Sequence, residues 1–480
     1  MIKSLLQEAY RLRERGAYTE EFSLLGELLP HFDFAKPDEK ILAAEALSLF
    51  GEVNRELGRP LEAIESFKLS AMLETSGEKS CAEISNALFS ANSVENFSAA
   101  DFRALYAEYK KYCADIVPYP RKFYAHKKIR VGFFSADFQW HVVMAWSWAL
   151  LTEFDKNFFS TYCYSAGKNP DVVTQNLRGI VDGWRDISDL TDKQAAELIR
   201  ADEIDILFDL GGHTAGNRLR VAAYRPASVQ ISGIGYMNST GLDATDYFLT
   251  DKYCTGNPDY FTEKFLILPR SHICYETPIK REVAAPPCLK NNFVTFGSFN
   301  NFGKVTDPIL RAWKKILDDV PNSRLILKHK IFNTDDGKNF VRNRLKNFNF
   351  DLAAIDMRPY TNDPTADYND VDIALDTFPY TGGVTTCDAL YMGVPVVSLY
   401  GDRHGTRFGL SILSNVGLGE LAVSSYDAYV KLAVALANDR DLLKILRQNL
   451  RGMMKNSPLM NSKSYVRDVQ EAFAKILRDR

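Results

Sequence analysis

Cysteine is scarce and scattered in this 480-residue chain: seven residues, Cys81, Cys113, Cys163, Cys254, Cys274, Cys288 and Cys387, with no CxxC pair and no His/Cys cluster. That spacing excludes a disulfide framework and a structural zinc site. An excess of one charge is missing too, with 58 Lys and Arg against 61 Asp and Glu and a formal net charge of -3. Overall basicity therefore points to neither nucleic acid nor an anionic membrane surface. No run of 18 apolar residues occurs, which excludes a spanning helix. The N-terminal MIKSLLQEAYRLRERGAYTE is amphipathic and mixed in charge, without the apolar core of a signal peptide. The cytoplasm is the expected compartment.

What is present is an ordinary globular composition, 46% hydrophobic, in a chain long enough for two or three domains. Residues 1–116 read as helix after helix. Within them Gly51, Gly58, Ala63 and Phe67 stand at the offsets 0, 7, 12 and 16 of the small and aromatic packing positions in a tetratricopeptide repeat. VPYPR, residues 117–121, breaks the helical pattern. Strand-like runs follow at 128–138, 158–165, 204–213, 229–236, 246–251 and 264–269, with helical stretches between the first of them. The proline-rich segment 277–291 reads as a linker. A second series follows at 292–300, 323–328, 371–377, 394–401 and 420–425. Alternation of this kind builds βαβ units and buried parallel sheets. The expected fold class is α/β: two tandem Rossmann-like domains facing a cleft (GT-B type), residues 122–280 and 291–480, preceded by an all-α, tetratricopeptide-like region, with the last helix returning toward the first sheet.

Four strand ends carry candidate chemistry. DTFPYTGGVTTCDALYMGVPVV (376–397) sets Gly382, Gly383, Thr385, Thr386 and Asp388 between a strand and a short helix. The glycines allow positive φ and close approach by a ligand, and the helix start offers outward N–H groups to a phosphate. The competing reading is a capping box, Thr385-x-x-Asp388. GSFNNFGKVTDP (297–308) places Lys304 after a strand, where its charge suits a departing diphosphate. DLGGHTAGNR (209–218) puts His213 at a strand's carboxyl end, and SADFQWH (135–141) puts His141 at the opening of a helix. An imidazole at either place suits a general base, a cap or a core position.

In this order the four blocks, with RPASVQISGIGYMNSTG (225–241) between them, resemble the O-linked N-acetylglucosamine transferase and SPINDLY family of protein glycosyltransferases. The resemblance implies an inverting, metal-independent transfer of one sugar, GlcNAc or another hexose, from a nucleotide sugar to Ser or Thr of a protein acceptor. No cofactor is implied beyond a UDP-linked donor substrate. By position, Lys304 would balance the leaving diphosphate, Asn301 would contact the donor, Thr385 and Thr386 would hold phosphates, and Asp388 would take the ribose. His141 would be the proposed base, and His213 and Arg225 would line the cleft. Met237 and Ser228 stand where the family pattern has prolines, and DFQWHV lacks the glycine and proline of DFGNHP. Transfer to asparagine, O-fucosylation from GDP-fucose, epimerisation of the donor, a non-catalytic adaptor role and homo-oligomerisation are left open by the sequence.

Overall fold

The computed structural model describes residues 2–34, 36–361, 363 and 365–479. It divides into two compact units. One holds the described residues of Met1–Thr75, Ser90–Asn96 and Pro278–Lys455; the other holds Ser76–Phe89, Phe97–Thr277 and the described residues of Asn456–Arg480. The helical stretch 1–116 is thus shared between them.

In the first unit, the helices Pro37–Glu56 and Pro60–Leu73 form a hairpin, each with its proline at the start, where the missing N–H costs nothing. Gly51 is the close-approach point of this hairpin: a Cβ there would lie 2.7 Å from the fully buried Phe67 ring. Gly58 turns the chain at φ +72°. These are three of the four repeat positions, and Ala63, the fourth, is also buried.

The second unit holds seven parallel strands: β1 (Ile129–Ser135), β2 (Phe159–Ser165), β3 (Gly183–Asp186), β4 (Ile206–Asp209), β5 (Val229–Ser232), β6 (Tyr247–Asp251) and β7 (Lys264–Leu268). Their spatial order is β3-β2-β1-β4-β5-β6-β7. The C-terminal helix Ser462–Arg478 packs on this sheet's unit, with Phe473 edge-on to Phe208 of β4 and Asp468 paired with Arg270 at 2.6 Å.

The first unit's sheet has six strands: β8 (Thr295–Ser298), β9 (Arg324–Lys328), β10 (Ile355–Arg358), β11 (Ile373–Leu375), β12 (Val396–Leu399) and β13 (Ala422–Val423). Its order is β10-β9-β8-β11-β12-β13, again all parallel. Both sheets therefore reverse direction next to their first strand, between β1 and β4 and between β8 and β11. Ligands of doubly wound sheets bind outside the carboxyl ends of the strands at such a switch point. All four sequence blocks leave the four strands that flank the two switch points.

Buried packing fixes the second of these crevices. Helix Asp307–Asp319 turns Ile309, Leu310, Ala312, Trp313 and Ile316 inward, a stripe at helical spacing. The Trp313 indole N–H donates to the Tyr429 hydroxyl at 3.1 Å, which donates to the Asp376 carbonyl at 2.9 Å. Two helices thereby hold the chain just past β11. Two strands, β3 and β10, were not expected from the sequence. Both are sheet edges, half-buried and polar (GWRD and IDMR), so neither shows the apolar run of the central strands.

Candidate active site

The loop after β8 begins at Phe299 and tightens into a 3-10 turn at Phe302–Lys304. Asn301 builds that turn: its Oδ1 accepts from the Gly303 N–H at 2.7 Å, and its Nδ2 donates to Glu56 Oε2 at 3.3 Å. The amide expected to contact a donor is thus engaged at both ends. Lys304 leaves the turn with Nζ 3.4 Å from the centroid of the Tyr380 ring, a cation–π contact across to the β11 loop. Burial pushes this lysine down to about 8, opposed by the nearby Asp376 charge. Thr306 Oγ1 donates to the Phe378 carbonyl at 3.1 Å and joins the two loops again.

The β11 loop is organised by Asp376. Its Oδ1 accepts from the N–H groups of Thr377 at 2.8 Å and Gly382 at 2.7 Å, and its Oδ2 from the Ser398 hydroxyl at 2.7 Å. Burial nevertheless holds this carboxyl up at about 6, since desolvation outweighs the three donors. Gly382 is required for space: a Cβ would fall 2.6 Å from Thr385 Oγ1, 2.7 Å from Thr386 Oγ1 and 3.0 Å from Asp376 Oδ1. Neither Gly382 nor Gly383 uses a positive φ, which corrects that part of the expectation.

The capping box is also corrected. Gly383 is the N-cap of helix Val384–Tyr391 and no side chain caps it, so Thr385 is already inside the first turn. The Thr385 hydroxyl donates to Asn300 Oδ1 at 3.0 Å, and its carbonyl accepts from the Tyr368 hydroxyl at 3.0 Å. The hydroxyls of Thr385 and Thr386 converge on Gly382, with half-buried Asp388 one turn further along. A narrow cavity between β8 and β11 is lined by Ser298, Asn300, Tyr368, Asp376, Thr385 and Thr386. Helix-start amides and two hydroxyls around one small opening, with Lys304 held nearby on the Tyr380 ring, suit an anion such as a diphosphate.

In the second unit the β4 loop repeats this design. Asp209 accepts from the N–H groups of Gly211 at 3.0 Å and Gly212 at 2.9 Å and from the Ser232 hydroxyl at 2.7 Å. Burial raises its carboxyl to about 6. Sequence reasoning passed over both aspartates, although each ends an apolar run just before a glycine-containing turn (LFDLGG and ALDTFPYTGG).

His213 is 1% exposed. Its Nε2 lies 2.9 Å from the Thr240 carbonyl and its Nδ1 2.9 Å from Ser85 Oγ. A carbonyl can only accept, so Nε2 carries the proton and Nδ1 accepts from the serine. The ring is sandwiched edge-on by Tyr109 and Tyr236, and burial pushes its pKa down to about 4. Both ring nitrogens are thus engaged, between Ser85 and the Thr240 carbonyl. His141 differs: it is exposed, precedes helix Met144–Thr152, and has Nδ1 3.6 Å from Asp137 Oδ2. Burial holds the Asp137 carboxyl above its usual range, with His141 pulling it back down.

Arg225 lies at the other end of its strand. It precedes β5, at the amino end of the strand and away from the carboxyl-end crevice, and is tied to Asp246 Oδ1 at 3.2 Å and to the Asp243 carbonyl at 2.7 Å. With Asp246 it forms a half-buried ion pair.

Known proteins resemble this chain over most of its length. The family model "Glycosyl transferase family 41" matches residues 111–276 and 284–469. The chain is 40% identical over 358 residues to a protein of Arabidopsis thaliana named "Probable UDP-N-acetylglucosamine--peptide N-acetylglucosaminyltransferase SPINDLY", covering 72% of this chain and 39% of that one. It is 38% identical over 382 residues to the SPINDLY protein of Hordeum vulgare, covering 78% and 40%. The chain thus spans about two fifths of the length of the curated relatives it matches. A lysine-to-methionine mutant of the Thermobaculum terrenum O-GlcNAc transferase superposes with a TM-score of 0.85 at 26% identity, over 100% of this chain and 97% of that one.

Proposed function

The chain belongs to glycosyl transferase family 41, and on that premise we propose that it moves one sugar from a nucleotide-diphosphate donor to a serine or threonine of a protein. The observation that carries this reading is Lys304 held over Tyr380 beside the uncapped start of helix Val384–Tyr391, at a sheet's switch point. The acceptor hydroxyl oxygen bonds to the anomeric carbon as the bond from that carbon to the diphosphate oxygen breaks, so the configuration inverts. Negative charge grows on the departing diphosphate. Lys304 and the helix amides meet that charge, and contacts that strengthen as it develops raise the rate as well as the affinity.

Thr385 and Thr386 are assigned to the phosphates and Asp388 to the ribose hydroxyls. Asn301 acts by shaping the Lys304 turn. His141, with Asp137 beside it, is assigned the hydroxyl proton, and His213 the support of the β4 loop. The names of the curated relatives support a UDP-linked GlcNAc donor and a peptide acceptor. Because lysine and amides supply the positive charge in this reading, EDTA is expected to leave the rate unchanged.

The test is a panel of UDP- and GDP-sugars, each incubated with the protein and a peptide library and read by peptide mass. The reading expects UDP-GlcNAc to add one N-acetylhexosamine to Ser or Thr. Addition to Asn, or conversion of the donor to an epimer with no peptide modified, contradicts it.

A further inference from the structure

The repeat-like hairpin has no role in the reading above, yet its end touches the Lys304 turn. Helix Pro37–Glu56 stops against Phe302–Lys304, and the contact is close: a Cβ on Gly303 would sit 2.4 Å from the Arg55 carbonyl and 3.3 Å from that of Glu56. Only a residue without a side chain lets the two backbones approach so far. Gly58 continues the contact, with its Cβ position 3.6 Å from the Gly303 carbonyl and 3.1 Å from Arg344 Nη1. Arg344 in turn donates to the Val305 carbonyl at 2.7 Å, just past the lysine.

The polar link is Glu56. Its Oε2 accepts from Asn301 Nδ2, the other end of which holds the Gly303 N–H. Glu56, Asn301 and the 3-10 turn thus form one connected strut ending at Lys304. Charge reaches across as well. Arg55 pulls Tyr380, the ring under Lys304, down against the upward push of its burial. His329, at the end of β9, is pushed down to about 4 by burial and by the Lys330 and Lys304 charges, with Glu56 opposing. Cations and acid from the hairpin therefore share one neighbourhood with the β8 and β11 loops.

We infer that Glu56 is a positioning residue for the nucleotide-diphosphate site: through Asn301 it fixes the turn that presents Lys304, so the helical hairpin is a working part of donor binding. This rests on the donor-site reading above. The hairpin then has a function of its own in donor binding.

Calorimetric titration of the full chain with UDP and with GDP tests this, alongside thermal midpoints. Glu56→Ala is expected to weaken the nucleotide that wild type binds by about tenfold, the scale of a misplaced contact, with the midpoint little changed. Glu56→Gln keeps an acceptor oxygen for Asn301 and is expected to bind as wild type; a merely structural role predicts no such rescue. Glu56→Asp, one methylene shorter, is expected to bind weakly and serves if the alanine variant fails to fold. Wild-type affinity in Glu56→Ala and Glu56→Asp, with Lys304→Ala weakened, overturns the inference and leaves the donor site standing. Equal loss in Gln and Ala also overturns it. Wild-type affinity in Lys304→Ala, or no binding of either nucleotide to wild type, removes the donor-site reading itself.

Discussion

Lys304 titrates close to the pH at which such an enzyme would work. Burial holds it at about 8, so its charge is complete only below that value. The kcat/KM for the donor should therefore fall as pH rises through about 8, because that parameter reports the free enzyme. In Lys304→Arg the guanidinium stays charged, and the falling limb should vanish from the profile even though the rate is lower. For stability the sign is opposite to that of a favourable ion pair. The folded pKa lies below the roughly 10.4 of an unfolded lysine, so burying the charged form costs stability at neutral pH, and that cost is relieved as pH rises from about 8 to about 10. The two histidines should separate cleanly. His213→Ala leaves Ser85 and Thr240 short of a partner and should cost about 1–3 kcal/mol in denaturant unfolding, whereas His141→Ala should keep the midpoint and lower kcat. Sequence placed both residues correctly at strand ends. It could not tell them apart, because the partners of His213 lie 128 and 27 residues away. For Arg225 too, a motif position does not state which end of a strand it occupies.

At the scale of elements, close approach decides more than dihedral freedom. Gly382→Ala should weaken nucleotide binding by about tenfold or more, since the new methyl meets three polar atoms within 3.0 Å and moving any of them disturbs the site. The same reasoning applies to the hairpin. Gly51→Val presses on Phe67 and should lower stability by about 1–3 kcal/mol, the usual cost of overpacking, read from the denaturation midpoint. The Gly51 and Phe67 pair was legible from spacing alone. So were the central strands, whose apolar runs are long enough to see. The edges β3 and β10 were not, because an edge strand faces solvent on one side and carries no such run. The capping box at Thr385 failed by two residues: the helix begins at Val384, and a four-residue pattern cannot locate that start.

On the scale of the molecule, local pattern showed how many sheets to expect but not which helices serve which sheet. The described residues of Met1–Thr75 belong with Pro278–Lys455, far along the chain, while Phe97–Thr277 takes the last helix. Such partnerships are set by packing between distant segments, which periodicity does not encode. The same chain order carries the main functional claim, because the Lys304 turn and the Thr385 helix leave the two strands that flank one switch point. The most direct measurement is transfer by Lys304→Ala against wild type, on a peptide pool with the preferred nucleotide sugar, with thermal midpoints recorded for both. The account predicts a folded variant whose transfer rate falls by about 100-fold or more, the scale for losing a main electrostatic contact to the leaving group. A folded variant that transfers at the wild-type rate would contradict it.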